Sequence, residues 1–183
     1  MSELHSILIL AAAFVAVFFE AWFDGFRDVL GAQIDLLPAL MVYAGLHNGL
    51  GTVALTAICG GLWFDSLSAN PLGVSVLPLF LIGLLVYRGR EVLAREHAAA
   101  QFALGAAASA LQPLATLFIL LNIGAPPLLG LKSLWQWVVM TLGGGLFTPV
   151  LFTLFNRVRL TFEYQPAPQT SFRPDRQIKR GRL

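Results

Sequence analysis

Charge is scarce in this sequence. Only 12% of its 183 residues are Asp, Glu, Lys or Arg, against 57% apolar side chains. A soluble domain carries about 25% charged residues, so a chain this poor in charge has too little to cover a water-facing surface. Its mean hydropathy of +0.73 points the same way. Cysteine is almost missing. With Cys59 alone, no intramolecular disulfide forms and no Cys/His metal spacing exists. Its place in an apolar run marks it as small buried filler. The histidines, His5, His47 and His97, are dispersed and fall at expected helix ends, which argues against a metal triad. No phosphate-cradling Gly-Lys motif occurs. Ser75 has no histidine in a neighbouring span to act as its base. Enzymatic chemistry, cofactors and bound metal are therefore not expected, and neither is nucleic acid as a partner.

What is present is a series of long apolar runs. Crossing a bilayer core of about 30 Å takes about 20 apolar residues in a helix, and in lipid each backbone polar group needs a partner within the segment. The runs predict an all-α integral membrane protein of six transmembrane helices, over residues 4–23, 34–46, 49–64, 72–87, 98–123 and 134–155. Residues 1–156 form the bundle. The first run follows Glu3 with no preceding Lys or Arg, so it reads as a retained helix rather than a signal peptide. Only His47, Asn48 and Gly49 separate the second and third helices. A single helix over residues 34–64 would be about 46 Å long at 1.5 Å per residue, so a tight helical hairpin is expected instead.

Basic residues set the orientation, because Lys and Arg concentrate on the cytoplasmic side. Arg88, Arg90 and Arg95 follow the fourth helix, and seven more lie after the sixth. Six helices place all ten on one side and leave Arg27 and Lys132 on the other. Both termini are thus expected in the cytoplasm. Trp22, Trp63, Trp135 and Trp137 fall near span ends, as an interfacial belt requires. Residues 157–183 are polar and contain Pro166, Pro168 and Pro174. They cannot bury enough apolar surface to fold alone and are expected to form a disordered basic tail, drawn to anionic membrane lipid.

Small residues predict how the bundle packs. In the fifth helix, Ala99, Ala103 and Ala107 share a face, as do Ala106 and Ala110. Gly60 and Gly61 in the third helix, and Gly143, Gly144 and Gly145 in the sixth, allow close approach. Pro113 and Pro149 are expected to bend their helices. Ionisable residues inside spans are functional hypotheses by default. Glu20, Asp24 and Asp28, with Arg27 beside them, are expected to be solvated at the outer end of the first helix. Asp65 is expected to cap the next helix or bond the loop backbone. Few polar residues are expected deeper in the bundle.

At these residues the chain resembles the bacterial rod-shape-determining MreD family. Asp35-Leu36 matches the family's Pro-Asp-Leu at the start of helix 2, with Ile34 replacing the proline. Gly49 and Gly51 match the small residues early in helix 3, and Gly61-Leu62-Trp63-Phe64-Asp65 matches its end. Pro71-Leu72-Gly73 matches the start of helix 4. The resemblance covers roughly residues 34–95. It implies a non-enzymatic inner-membrane scaffold of the peptidoglycan elongation machinery, with a fold similar to the substrate-binding subunits of energy-coupling-factor vitamin transporters. The implied partners are an MreC-like single-span periplasmic protein, the peptidoglycan synthase complex and actin-like filament components. Asp35, Gly61, Leu62, Asp65, Pro71, Leu72 and Gly73 would form the partner-binding or structural motif, and Arg88, Arg90 and Arg95 the cytoplasmic contacts. The same architecture suits a vitamin-binding transporter subunit, for which Glu20, Asp24 and Asp65 would supply polar groups near the outer face.

Overall fold

The computed structural model describes residues 2–23, 25–93, 97–124 and 130–162. The described residues contain helices and no strands. In chain order they are α1 (Ser2–Trp22), α2 (Gly25–Leu30), α3 (Leu37–His47), α4 (Leu50–Leu67), α5 (Val76–Gly89), α6 (Ala98–Ile123) and α7 (Leu131–Phe162). Three stretches are long and apolar enough to cross a membrane: Leu50–Leu67, Ala98–Ile123 and Leu131–Val158. Shorter apolar helices, Ser6–Trp22, Leu37–His47 and Val76–Gly89, accompany them. Large apolar side chains also face outward, among them Val15, Leu85, Phe118 and Leu146. A broad apolar exterior of this kind suits lipid rather than water.

α3 is the centre of the bundle. Every residue from Leu37 to Leu46 is buried, and the helix packs against α1, α4, α5, α6 and α7. A helix apolar on all sides belongs inside. Its 11 residues span only about 16 Å, which neighbours rather than lipid must cover. Close approach to α5 depends on two glycines. A Cβ on Gly45 would lie 2.9 Å from the Gly83 carbonyl oxygen, and one on Gly83 would lie 2.5 Å from Met41 Cε and Val53 Cγ1. At the end carrying His47, Tyr43 stacks on Phe155 with ring centroids 4.5 Å apart and meets Phe152 edge-on at 5.1 Å. Aromatic pairs favour these stacked and edge-on geometries.

The expected hairpin between the second and third runs is present. Asn48 N–H donates to the Ala44 carbonyl at 2.9 Å, and Gly49 is extended before α4 begins. α6 runs over the residues expected and ends on Gly124, whose φ of +80° is a left-handed C-cap.

The fold departs from expectation in four places. α2 is an additional short helix. α3 starts at Leu37 rather than 34 because the Asp35 carboxylate accepts the Leu37 N–H at 2.9 Å, and Pro38 sits in the first turn. α5 starts at Val76 rather than 72 because residues 72–75 form turns through Gly73, at φ +88°. α7 continues to Phe162, past the expected bundle boundary at 156, because the segment up to Phe162 contains no proline after Pro149. The rest of the expected tail lies outside the described residues.

At the Gly73 turn a Cβ would meet nothing within 4 Å. Gly73→Val is therefore penalised only for the left-handed backbone, by about 1–2 kcal/mol. Gly49→Ala, also in open space but at φ −78°, is expected to be nearly neutral. Thermal unfolding of both variants in detergent tests the contrast.

Candidate functional site

The best-defined polar arrangement lies at the end of the bundle where α1, α4 and α6 finish and α5 and α7 begin. Here the segment from Gly31 to Leu36 is fixed from several sides. Leu36 N–H donates to Glu20 Oε1 at 2.5 Å, and Gln33 N–H to Gln136 Oε1 at 3.0 Å. Gln136 Nε2 donates back to the Gln33 carbonyl at 2.7 Å. Trp135 Nε1 donates to the Leu30 carbonyl at 2.8 Å, and Trp137 Nε1 to the Ala110 carbonyl at 3.0 Å. The two tryptophans of α7 therefore tie neighbouring elements together, a role more specific than that of an interfacial belt.

Glu20 is not the solvated acid expected. It turns inward and serves as an acceptor for the backbone leading into α3. Asp35 is 2% exposed and caps α3 itself. The Gln112 side chain of α6 lies beside it. The two carboxyl groups thus organise the start of the central helix, one from α1 and one from its own leading segment. Asp24 lies outside the described residues, and Asp28 is exposed.

The second fixed point is the α4–α5 connection. Asp65 is 2% exposed, and its Oδ2 accepts the Ser75 N–H at 3.0 Å. Gly61 lies directly against α5: a Cβ there would sit 2.9 Å from the Val76 backbone nitrogen. The motif residues 61–73 therefore divide in two. Gly61 and Asp65 close the turn from within, while Leu62, Pro71 and Leu72 stand outward, Leu72 at 71% exposed. Asp35 belongs to the same end of the molecule but to the α3 cap. Arg88 is exposed at the opposite end, and Arg90 lies 4.4 Å from the Tyr87 ring centroid in a cation–π contact. Arg95 lies outside the described residues.

Between these fixed points is a cavity of about 880 Å³. It is bounded by the Arg27–Gln33 segment, by Phe64, Asn70 and Ser75 of the α4–α5 region, by α6 from Gln112 to Leu120, and by the first turns of α7. Pro113, the expected bend of α6, is part of its wall. A smaller pocket of about 130 Å³ lies beside Glu20, lined by Phe19, Phe23, Ile34 and Phe147.

Few polar residues were expected at depth, and α6 corrects this. Its buried face carries Gln101, Gly105, Ser109, Gln112 and Thr116. The spacing of four, four, three and four residues is a single helical stripe, legible in the sequence but masked there by the surrounding alanines. Ser75 Oγ, Gln112 Oε1 and Thr116 Oγ1 are buried at the cavity wall without a hydrogen-bond partner among the described residues. The alanine face with Ala99, Ala103 and Ala107 is instead exposed. Close packing of α6 on α7 comes from glycine: Gly105 faces Thr148 and the Gly144 carbonyl, and Gly144 faces Ser109.

Compared with protein-family models, curated proteins and solved structures, the chain shows no match.

Proposed function

We propose that this chain is a non-enzymatic inner-membrane scaffold of the MreD type, with six spans and both termini in the cytoplasm. It binds an MreC-like single-span protein on the periplasmic side and helps couple cytoplasmic actin-like filaments to the peptidoglycan synthase complex. The observation that carries this reading is the division of labour within residues 61–73. The buried Asp65–Ser75 bond and the close approach of Gly61 to Val76 hold the turn in place, and the turn leaves Leu72 standing outward. A well-anchored loop presenting an apolar side chain suits protein docking better than catalysis. Arg88 and Arg90, at the other end, would face the filament side.

Crosslinking and affinity capture from native membranes tests it. A periplasmic coiled-coil protein recovered with peptidoglycan synthase components is the expected result. Leu72→Glu is expected to reduce that recovery about tenfold or more, as for the loss of an interface anchor of ~1.4 kcal/mol or above, with no change in thermal stability, because the side chain is exposed.

A second reading is favoured by the cavity. Its volume falls within the range of small-molecule sites, about 300–1,000 Å³, and its lining combines amide side chains with apolar walls. That supports a substrate-binding subunit of an energy-coupling-factor transporter. Recovery of paired ATPases with a transmembrane coupling subunit would replace the scaffold reading with this one.

A further inference from the structure

Basic residues are unevenly used in this chain. At the end of the bundle away from Arg88, Arg90 and Arg157, the basic side chains among the described residues are Arg27 and Lys132. They are 105 positions apart in sequence, yet both line the 880 Å³ cavity. Both are exposed, and neither forms an ion pair with a described residue. No carboxylate stands among the described lining residues. Glu20, Asp35 and Asp65 instead direct their bonded oxygens to the backbone that leads into α3 and α5. The described lining therefore carries two positive charges and no negative one.

The interior is of two kinds. Amides and hydroxyls come from Gln33, Asn70, Ser75, Gln112, Thr116 and Gln136. Apolar lining comes from Leu117 and Leu120 of α6 and Met140 of α7, on the same two helices as some of the polar groups. Along α6 the lining runs from Gln112 to Leu120, about 12 Å of helix axis. Leu114 and Leu134 also line the cavity and are 49% and 62% exposed. A molecule with a chain and a charged head has a use for each part.

We propose that this cavity binds a single amphiphile with an anionic head group, a phosphate being the best match to an Arg and a Lys donor lining one cavity. The head sits between Arg27 and Lys132, and the chain lies along Leu114, Leu117 and Met140. The proposal stands apart from the scaffold role, and neither depends on the other. The head-group chemistry is shared by anionic bilayer lipids and by single-chain phosphorylated amphiphiles, and the test separates them.

The full chain in phosphatidylcholine nanodiscs is titrated with dodecyl phosphate, dodecanol and inorganic phosphate. Binding is followed by tryptophan fluorescence, to which Trp137 in the cavity wall responds, and stoichiometry by native mass spectrometry. One equivalent of dodecyl phosphate is expected, bound about tenfold or more tighter than either fragment. The double variant Arg27→Gln/Lys132→Gln is expected to lose about tenfold for dodecyl phosphate with an unchanged melting temperature. Leu114→Trp, at a half-exposed position that tolerates bulk, is expected to weaken dodecyl phosphate and leave inorganic phosphate unaffected. Displacement by nanodiscs containing phosphatidylglycerol assigns the site to a bilayer lipid. Lack of displacement assigns it to a single-chain phosphorylated amphiphile, and both results support the site. Equal binding of dodecanol, equal binding of inorganic phosphate, or full affinity in the folded double variant overturns it.

Discussion

Gly105→Leu is expected to abolish recovery of folded protein, or to lower its melting temperature by about 10 °C or more, as about 3 kcal/mol of overpacking would. The position lies on the seam where α6 and α7 pack tightly. A Cβ on Gly105 would meet the Thr148 side chain, and the Gly144 carbonyl oxygen would be 2.8 Å away. Thr148 cannot easily yield, because it is fully buried and its hydroxyl donates to that same Gly144 carbonyl at 2.7 Å. Backbone therefore has to move, and α7 must separate from α6 along the seam that includes Ser109 and Gly144. Helix association in lipid draws little from the hydrophobic effect, because lipid tails solvate apolar side chains as well as a neighbouring helix does. Packing forfeited at the seam is then not regained elsewhere. Ala103→Leu is the matched control. It adds bulk less than one turn away, on the exposed face of α6, and is expected to leave the melting temperature within about 2 °C. Detergent-solubilised protein monitored by size-exclusion chromatography and thermal unfolding distinguishes the two. Equal behaviour of the two variants would sink the packing account.

The contrast between those alanine and glycine positions shows where the sequence is informative. The apolar runs locate α1, α4 and α6 within a few residues, since length and hydropathy alone dictate them. The hairpin at His47–Gly49 also follows from chain length against bilayer thickness. Helix starts are less legible, because they depend on acceptors that only folding supplies. α3 begins where Asp35 caps it, while the Ser75 N–H donating to Asp65 ahead of α5 is the cap or loop-backbone bond expected of that acid, with only its partner left open. Neither bond is visible as periodicity. The cavity is legible only in part. Its α6 wall takes only Gln112 and Thr116 from the buried polar stripe, and Arg27 and Lys132 line the same cavity from distant parts of the chain, which only the fold shows. Among the small residues, Gly60, Gly61 and Gly143 to Gly145 make the close approaches expected of them, whereas the face with Ala99, Ala103 and Ala107 is exposed. Alanine and glycine both permit close approach, but glycine leaves room for a neighbour's hydroxyl and carbonyl directly against the helix backbone, so the seam formed on Gly105 and Gly144.

Asp65→Ala is expected to cost about 2–3 kcal/mol, because it strands the buried Ser75 N–H without an acceptor and frees the turn that Gly73 shapes. That corresponds to a fall in melting temperature of about 5–10 °C for a chain of this size. Asp65→Asn retains a carbonyl oxygen at the same place, so the Ser75 bond survives and the expected fall is less than half as large. The pair of variants separates two roles that the position combines. If Asp65 acts only through the turn, partner capture from native membranes follows thermal stability, and Asn behaves like the parent. If the carboxylate itself touches a partner, Asp65→Asn loses capture while melting normally. The geometry favours the first outcome: Asp65 is 2% exposed, and the side chain that stands outward from the same turn is Leu72. Capture should then fail in Leu72→Glu without a change in stability, fail in Asp65→Ala together with stability, and persist in Asp65→Asn. An Asp65→Asn protein that melts like the parent but recovers no partner would move the docking surface from Leu72 to the acid behind it.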